Sequence, residues 1–392
     1  MNKYDFSFFN EPIDRRGTDC FKWDALAAKE GPELLPMWVA DMDFRCAGEV
    51  TGALASRAKH PVYGYTVQTD AAVDAMLSFQ ERRHGVRLTR EQQLLLPGVV
   101  PGLRLAVSAF TRPVDGVLIQ PPVYGPFFDA PRRLGRRVVE NPLVADGAGR
   151  YRMDLAGMEA AFQSGVKLAL LCNPHNPVAR AWTREELQGA YALCRRYDVM
   201  MVVDEIHQDF VFEPGAFVSA MTLDDGENAG LAVLTSAGKT FNIAGLQQGV
   251  LLTCNPAVKS AVADAMRAVG AEAGNIFALA GTEAAYRYGE KWLDGLLAYL
   301  DRARALLRET VAARLPKAVM APQEATFLAW LDLRAYGFTD EELTRRTHGA
   351  GVAFSSGTAF DPVRGEGFLR LNFGCPHAQT LEAVERLEKA LQ

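Results

Sequence analysis

Five short apolar runs punctuate the middle of the chain: "GVLIQPP" (116–122), "KLALLCNP" (167–174), "VMMVVDE" (199–205), "LAVLTS" (231–236) and "GVLLTCN" (249–255). None alternates strictly, as expected for strands covered on both faces, although periodicity alone leaves buried helix open. Helical patterns lie between them. "TREELQGAYALCRRY" starts with a Thr183/Glu186 capping box, and its apolar residues recur at helical spacing. Strand alternating with helix predicts a mostly parallel sheet in an α/β domain. The last third reads differently. "WLDGLLAYLDRARALLRETVAARL" (292–315) predicts a long amphipathic helix, "ATFLAWLDL" (325–333) a strand, Thr339 a second capped helix, and "QTLEAVERLEKALQ" a final helix. Together they predict a smaller α+β domain. The segment up to about residue 45 is irregular and aromatic-rich, and no internal repeat is visible.

Length supports this division, because 392 residues exceed what one ordinary core accommodates. A net charge of −5 gives no footprint for nucleic acid or anionic lipid, which points to small-molecule partners. The six cysteines form no Cys-x-x-Cys pair, and no histidine cluster has metal-ligand spacing, so free thiols in a reducing compartment and no metal site are expected. With no run near the ~20 apolar residues that span a bilayer, and no signal-like start, the expected location is the cytoplasm and no membrane partner is expected.

Gly238-Lys239-Thr240 imitates the tail of a phosphate-binding loop. The first glycine of such a loop would fall on Val233, and "TFNIAGLQQG" runs into a strand instead of launching a helix. No G-x-G-x-x-G occurs either. A solvated loop lysine is the bland alternative, but three neighbours argue against it. Asp204 ends a buried run, where an unpaired carboxylate is costly and a cationic partner is expected. Asn176 and Tyr124 also follow strands of the same predicted sheet, and ligands of open α/β sheets bind beyond the carboxyl ends of the strands. This set suits pyridoxal phosphate (PLP): a lysine for the aldehyde, an aspartate for the pyridinium nitrogen, an amide for the ring oxygen and an aromatic ring to stack. Each residue alone is a weak signal; their order and placement together are a strong one.

"NPHNP", "VVDEIH" and "TSAGKTFNIAGLQ", in that order, resemble the fold-type I PLP enzymes. More narrowly, "DRRGTDCFKWD", "MWVADMDF", "YGYT", "PPVYGPFF" and "GFLRLNFGCP" resemble the MalY/PatB group of cystathionine β-lyases within the class I/II aminotransferase superfamily. The resemblance implies the aspartate aminotransferase-like fold. It implies an N-terminal segment (1–45) at the active-site entrance against the small domain, a large PLP-binding domain (46–285) and a small C-terminal domain (286–392). It assigns Ser236 and the backbone N–H groups of Val99 and Val100 to the cofactor phosphate, with Val99 and Val100 at a helix start that is itself a natural anion site. Tyr65 would reach the phosphate of a neighbouring subunit, implying a homodimer with shared sites. Arg370 would hold the substrate carboxylate. Asp41, beside Asp43, would sit at the entrance and contact substrate, and His207 would support Asp204 or pack as a core histidine.

Two positions depart from the family pattern. Gly238 stands where serine is common, and Ala179 replaces the glycine of "NPxNPxG", which costs roughly 1 kcal/mol if that turn needs a positive φ. Aminotransferases of this fold often carry an arginine where this chain has Gln247. The resemblance therefore favours β-elimination from S-substituted cysteines, cystathionine first among them, to thiol, pyruvate and ammonia. Transamination by the same residues is the alternative, and a regulatory binding protein the third.

Overall fold

The computed structural model describes residues 3–392 apart from 214, 224–229 and 273. All five apolar runs form strands of one seven-stranded sheet. Its order across is Gln93–Leu96, Gly249–Leu252, Leu231–Thr235, Met200–Asp204, Val166–Cys172, Gly116–Ile119 and Arg137–Glu140. The strands from Leu231–Thr235 to Arg137–Glu140 run parallel, whereas Gly249–Leu252 is antiparallel to both its neighbours. An apolar pattern carries no direction, so that reversal was invisible in the sequence.

Successive residues of the central strands enter opposite cores. Leu168, Leu170 and Cys172 pack with Val202, Ala232 and the helix Val99–Phe110. Ala169 and Leu171 pack with Met201, Val203 and Val233 on the other face. Both faces are therefore apolar, which is why the runs do not alternate. Register aligns the strand ends: Cys172 lies opposite Asp204, and Asp204 opposite Leu234. The loops carrying Asn176, Asp204 and Lys239 consequently emerge side by side.

The later residues form a four-stranded antiparallel sheet, in the order Val319–Met320, Leu328–Asp332, Phe368–Asn372, Ser355–Ser356. The helices Glu290–Arg314, Asp340–Gly349 and His377–Leu391 accompany it. The predicted Thr183/Glu186 capping box forms, and the helix predicted to be capped at Thr339 carries a second box with Glu342. Near the N-terminus, Leu35–Pro36 pairs in parallel with Val352–Ala353. The chain then crosses toward the large sheet through residues 38–44. No helix among the described residues is long and apolar enough to cross a membrane.

Candidate active site

Beyond the strand ends lies a cavity of about 650 Å³. It brings together Lys239, Asp204, Asn176, Tyr124, Ser236 and Arg370, and it also meets Val99, Val100 and His207. Lys239 sits in a single helical turn, Ala237–Thr240, far too short for a phosphate-loop helix. Its amine donates to the carbonyl of Ala40. Burial lowers the Lys239 pKa to about 8, with Asp41 and Asp204 pulling it upward and Arg370 and Lys22 pushing it down.

Asp204 ends its strand with one oxygen accepting the Ile206 N–H at 3.0 Å. The cationic partner expected for it is not present as an ion pair among the described residues. Burial instead raises its pKa to about 7, opposed by the Ile206 hydrogen bond and by Lys239. Arg370 shows the converse. Its guanidinium is buried, donating to Asn176 Oδ1 at 3.0 Å, to the Trp38 carbonyl at 2.5 Å and to Ser355 Oγ at 3.3 Å, while Nε has no partner. Among the described residues no carboxylate pairs with it, and burial lowers its pKa to about 10. Asn176, by accepting from Arg370, turns its amide N–H₂ away from the arginine and keeps it available to a ligand oxygen.

The helix Val99–Phe110 begins behind Gly98, whose φ of 152° suits only glycine. A Cβ on Gly249 would lie 2.7 Å from the Gly98 carbonyl carbon, so two glycines let the turn press against the sheet. Val99 and Val100 stand in the first helical turn, whose N–H groups lack intrahelical partners. Ser236 Oγ accepts the Gly238 N–H at 2.9 Å and donates to the Gln248 carbonyl at 2.5 Å. A Cβ at Gly238 would come 3.0 Å from that hydroxyl, so this glycine makes room for the serine beside it.

His207 lines the cavity with Nδ1 unpartnered, its ring 5.7 Å from Phe327, and burial lowers its pKa to about 3. Tyr124 also lines it, its phenol pKa raised by burial. Two expected residues are not brought in. Asp41 is not a wall of this cavity: its carboxylate receives Arg15 Nη2 at 2.8 Å. Loop-to-loop pairing of this kind leaves no periodic trace, and Asp41 had been placed toward substrate by the resemblance of "VADMDF" alone. Tyr65 is fully exposed on the single chain and lies outside the cavity.

Sequence reasoning also missed a network behind the entrance. Lys22, fully buried, donates to Asp43 Oδ2 at 2.7 Å, and Arg15 reaches Asp43 Oδ1 at 2.7 Å. The motifs "DRRGTDCFKWD" and "VADMDF" held both halves of it. Opposite charges in two aperiodic loops were the one available signal.

This donor set fits PLP. A buried anion without a cation suits a pyridinium, a depressed lysine amine an aldehyde, free helix-start N–H groups a phosphate, and a buried cation without an anion an amino-acid carboxylate. No group of three or more metal-ligating side chains occurs among the described residues.

Comparison with known proteins agrees with the geometry. The family model described as aminotransferase class I and II matches residues 43–387. Cystathionine β-lyase PatB of Bacillus subtilis is 38% identical over 387 residues, covering 98% of this chain and 99% of the relative. The solved structure of a PLP-bound putative aminotransferase from Clostridium difficile superposes with a TM-score of 0.95 at 33% identity, covering 98% of this chain and 99% of that one. That of the PLP-bound C–S lyase from Staphylococcus hominis has a TM-score of 0.90 at 30% identity, covering 98% and 97%.

Proposed function

From the premise that the chain belongs to the class I and II aminotransferase family, we propose that it is a PLP-dependent carbon–sulfur β-lyase acting on S-substituted L-cysteines. The observation that carries the reading is the buried, unpaired Arg370 in one cavity with Lys239 and Asp204. Cystathionine enters as a substrate through the relatives named for it.

PLP, when bound, supplies an electron-withdrawing ring that takes up the charge left at Cα. Lys239 is its attachment point, Asp204 its ring-nitrogen partner, Asn176 and Tyr124 its ring contacts, and Ser236 with the Val99 and Val100 N–H groups its phosphate holders. Arg370 fixes the substrate carboxylate with two parallel hydrogen bonds and so fixes the direction of the Cα–H bond. Lys239 Nζ, released when the substrate amine takes over its attachment and neutral above its pKa of about 8, takes that proton as general base. The Cβ–S bond then breaks with its electron pair leaving on sulfur, and the unsaturated amino acid released hydrolyses to pyruvate and ammonia. Buried His207, held neutral, packs beside the ring site without adding charge.

Tyr65 acts in this reading on the phosphate of a second copy, which makes the enzyme a homodimer. Exposed Val62, Tyr63 and Val67 around it support such an interface. Six cysteines outside any disulfide support a reducing, cytoplasmic setting. The test is to incubate the purified holoenzyme with L-cystathionine and a panel of S-substituted cysteines, and to quantify pyruvate and thiol. Equimolar release is expected. Keto-acid-dependent amino transfer without pyruvate would make the protein an aminotransferase instead.

A further inference from the structure

The cavity has walls that none of the roles above uses. Phe21, Trp38, Ala359 and Phe360 line it in addition to the cofactor and carboxylate groups. Phe21 is 67% exposed, a large apolar side chain left at the mouth, with its ring 5.3 Å from that of Trp38 and tilted by 44°. The polar atoms of this wall are already engaged. Trp38 Nε1 donates to the Lys22 carbonyl at 3.1 Å, and Ser355 Oγ donates to the Trp38 carbonyl at 3.0 Å while accepting from Arg370. What faces the cavity is aromatic surface.

Charge contributed by this chain is equally sparse. Among the described residues, the charged side chains lining the cavity are Asp204, Lys239 and Arg370, and the proposed chemistry uses all three. The next charges, Arg15, Lys22, Asp41 and Asp43, neutralise one another: Lys22–Asp43 and Arg15–Asp43 at 2.7 Å, Arg15–Asp41 at 2.8 Å. The sulfur substituent of cystathionine carries both an ammonium and a carboxylate. Against this wall neither charge has a partner from the same chain among the described residues, and each would be partly desolvated without compensation from it. An apolar or aromatic substituent gains from burial and from ring contacts.

We propose that this wall is a subsite for an uncharged, preferably aromatic sulfur substituent, with Phe21 as its specificity-determining residue; the inference rests on the β-lyase reading. The enzyme therefore prefers aryl- or aralkyl-cysteine thioethers to cystathionine.

The experiment compares kcat/KM for S-benzyl-L-cysteine, S-methyl-L-cysteine and L-cystathionine by pyruvate release, in the wild-type holoenzyme, Phe21→Ala and Phe21→Arg. Exposure of Phe21 keeps both variants compatible with the fold, and retention of the bound-cofactor absorbance checks it. The wild type is expected to favour S-benzyl-L-cysteine over cystathionine by about tenfold or more, the scale of one well-filled apolar contact. Phe21→Ala should lower the benzyl-to-methyl ratio by about tenfold. Phe21→Arg should shift the benzyl-to-cystathionine ratio toward cystathionine. Equal or better use of cystathionine by the wild type, or ratios indifferent to both substitutions, would overturn the subsite while leaving the lyase standing. Absence of pyruvate from all three thioethers would remove the lyase reading and the subsite with it.

Discussion

Lys239 is placed so that ordinary solution pH decides how much of it is reactive. Burial is the largest influence and lowers its pKa to about 8, so the neutral amine is the minor form at pH 7 and the major one at pH 9. A pKa of 8 means roughly a tenth neutral at pH 7 and roughly nine-tenths at pH 9. Capture of PLP by the cofactor-free enzyme, followed by stopped-flow absorbance, should therefore quicken about tenfold across that interval. A rate independent of pH would show that another step limits attachment. Arg370 gives a second expectation at this scale. Arg370→Lys keeps the charge but loses the fork that meets Asn176 and the Trp38 carbonyl. The substrate KM should rise about 10–100-fold, the value of one or two charge-assisted hydrogen bonds, while the bound-cofactor spectrum stays intact. Asn176, Asp204 and Lys239 were legible in the sequence because each ends or closely follows a strand whose apolar run could be read, whereas Arg370 came from the resemblance of "GFLRLNFGCP", its strand Phe368–Asn372 being too short to read as an apolar run. The Arg15–Asp41 and Lys22–Asp43 pairings were missed because the partners lie 26 and 21 residues apart in loops without period.

Among the elements, the strand Met200–Asp204 and the helical turn Ala237–Thr240 must hold their side chains at a fixed separation. The tie between them is Asp209, in the loop that follows Asp204. Its Oδ2 accepts Thr240 Oγ1 at 2.7 Å and its Oδ1 meets His84 Nε2 at 3.0 Å. Burial alone would raise the Asp209 pKa, but His84 and Thr240 bring the net shift below the ordinary carboxylate value. A carboxylate with a depressed folded pKa stabilises the fold above its unfolded pKa, and the contribution fades as pH falls through the folded one. Asp209→Asn should thus cost about 3 kcal/mol at neutral pH, measured by urea unfolding, with the deficit shrinking under acid conditions. Because Thr240 adjoins Lys239, the variant should also lose cofactor on dialysis faster than wild type. A pH-independent deficit would mean that packing rather than charge carries the contribution. Local chemistry at this level was readable: the Thr183/Glu186 capping box formed, Thr339 caps its helix, and Ala179 does occupy the positive-φ turn, at 57°. Strand direction was not, because period-two or continuous apolar patterns are the same read either way. The edge strand Arg137–Glu140 escaped because it is short and only half buried.

At the scale of the whole molecule, residues 38–42 hold the two sheets in one relation by having their carbonyls claimed from both sides. Arg370 and Ser355 donate to Trp38, Asn372 to Val39 and Asp41, Lys239 to Ala40, and Asn242 to Met42. The N-terminal arm is fastened outside this crossing by Lys22 and Arg15. Contacts that join residues more than 300 positions apart, such as Asn372 with Val39, have no signature in composition or periodicity. The two-sheet division was therefore readable while the strap between the sheets was not. Asn372 is its most informative member, because it is buried, touches neither cofactor nor substrate in the proposed chemistry, and satisfies two strap carbonyls at once. Asn372→Ala removes the donor to the Val39 carbonyl and the shorter of two donors to the Asp41 carbonyl, which keeps only Lys22 Nζ at 3.5 Å, a loss of about 2 kcal/mol in the stability of the closed strap. Lys22 is wholly buried, so trypsin reaches the bond after it when the arm lifts. When opening is fast relative to cleavage, the cut rate follows the open population, and about 2 kcal/mol corresponds to roughly thirtyfold faster cleavage after Lys22. Cleavage elsewhere should be little changed, which separates strap release from global unfolding. If the bond after Lys22 is cut no faster in the variant, the arm is held by Arg15, Lys22 and Asp43 alone and the crossing carbonyls contribute nothing to its closure.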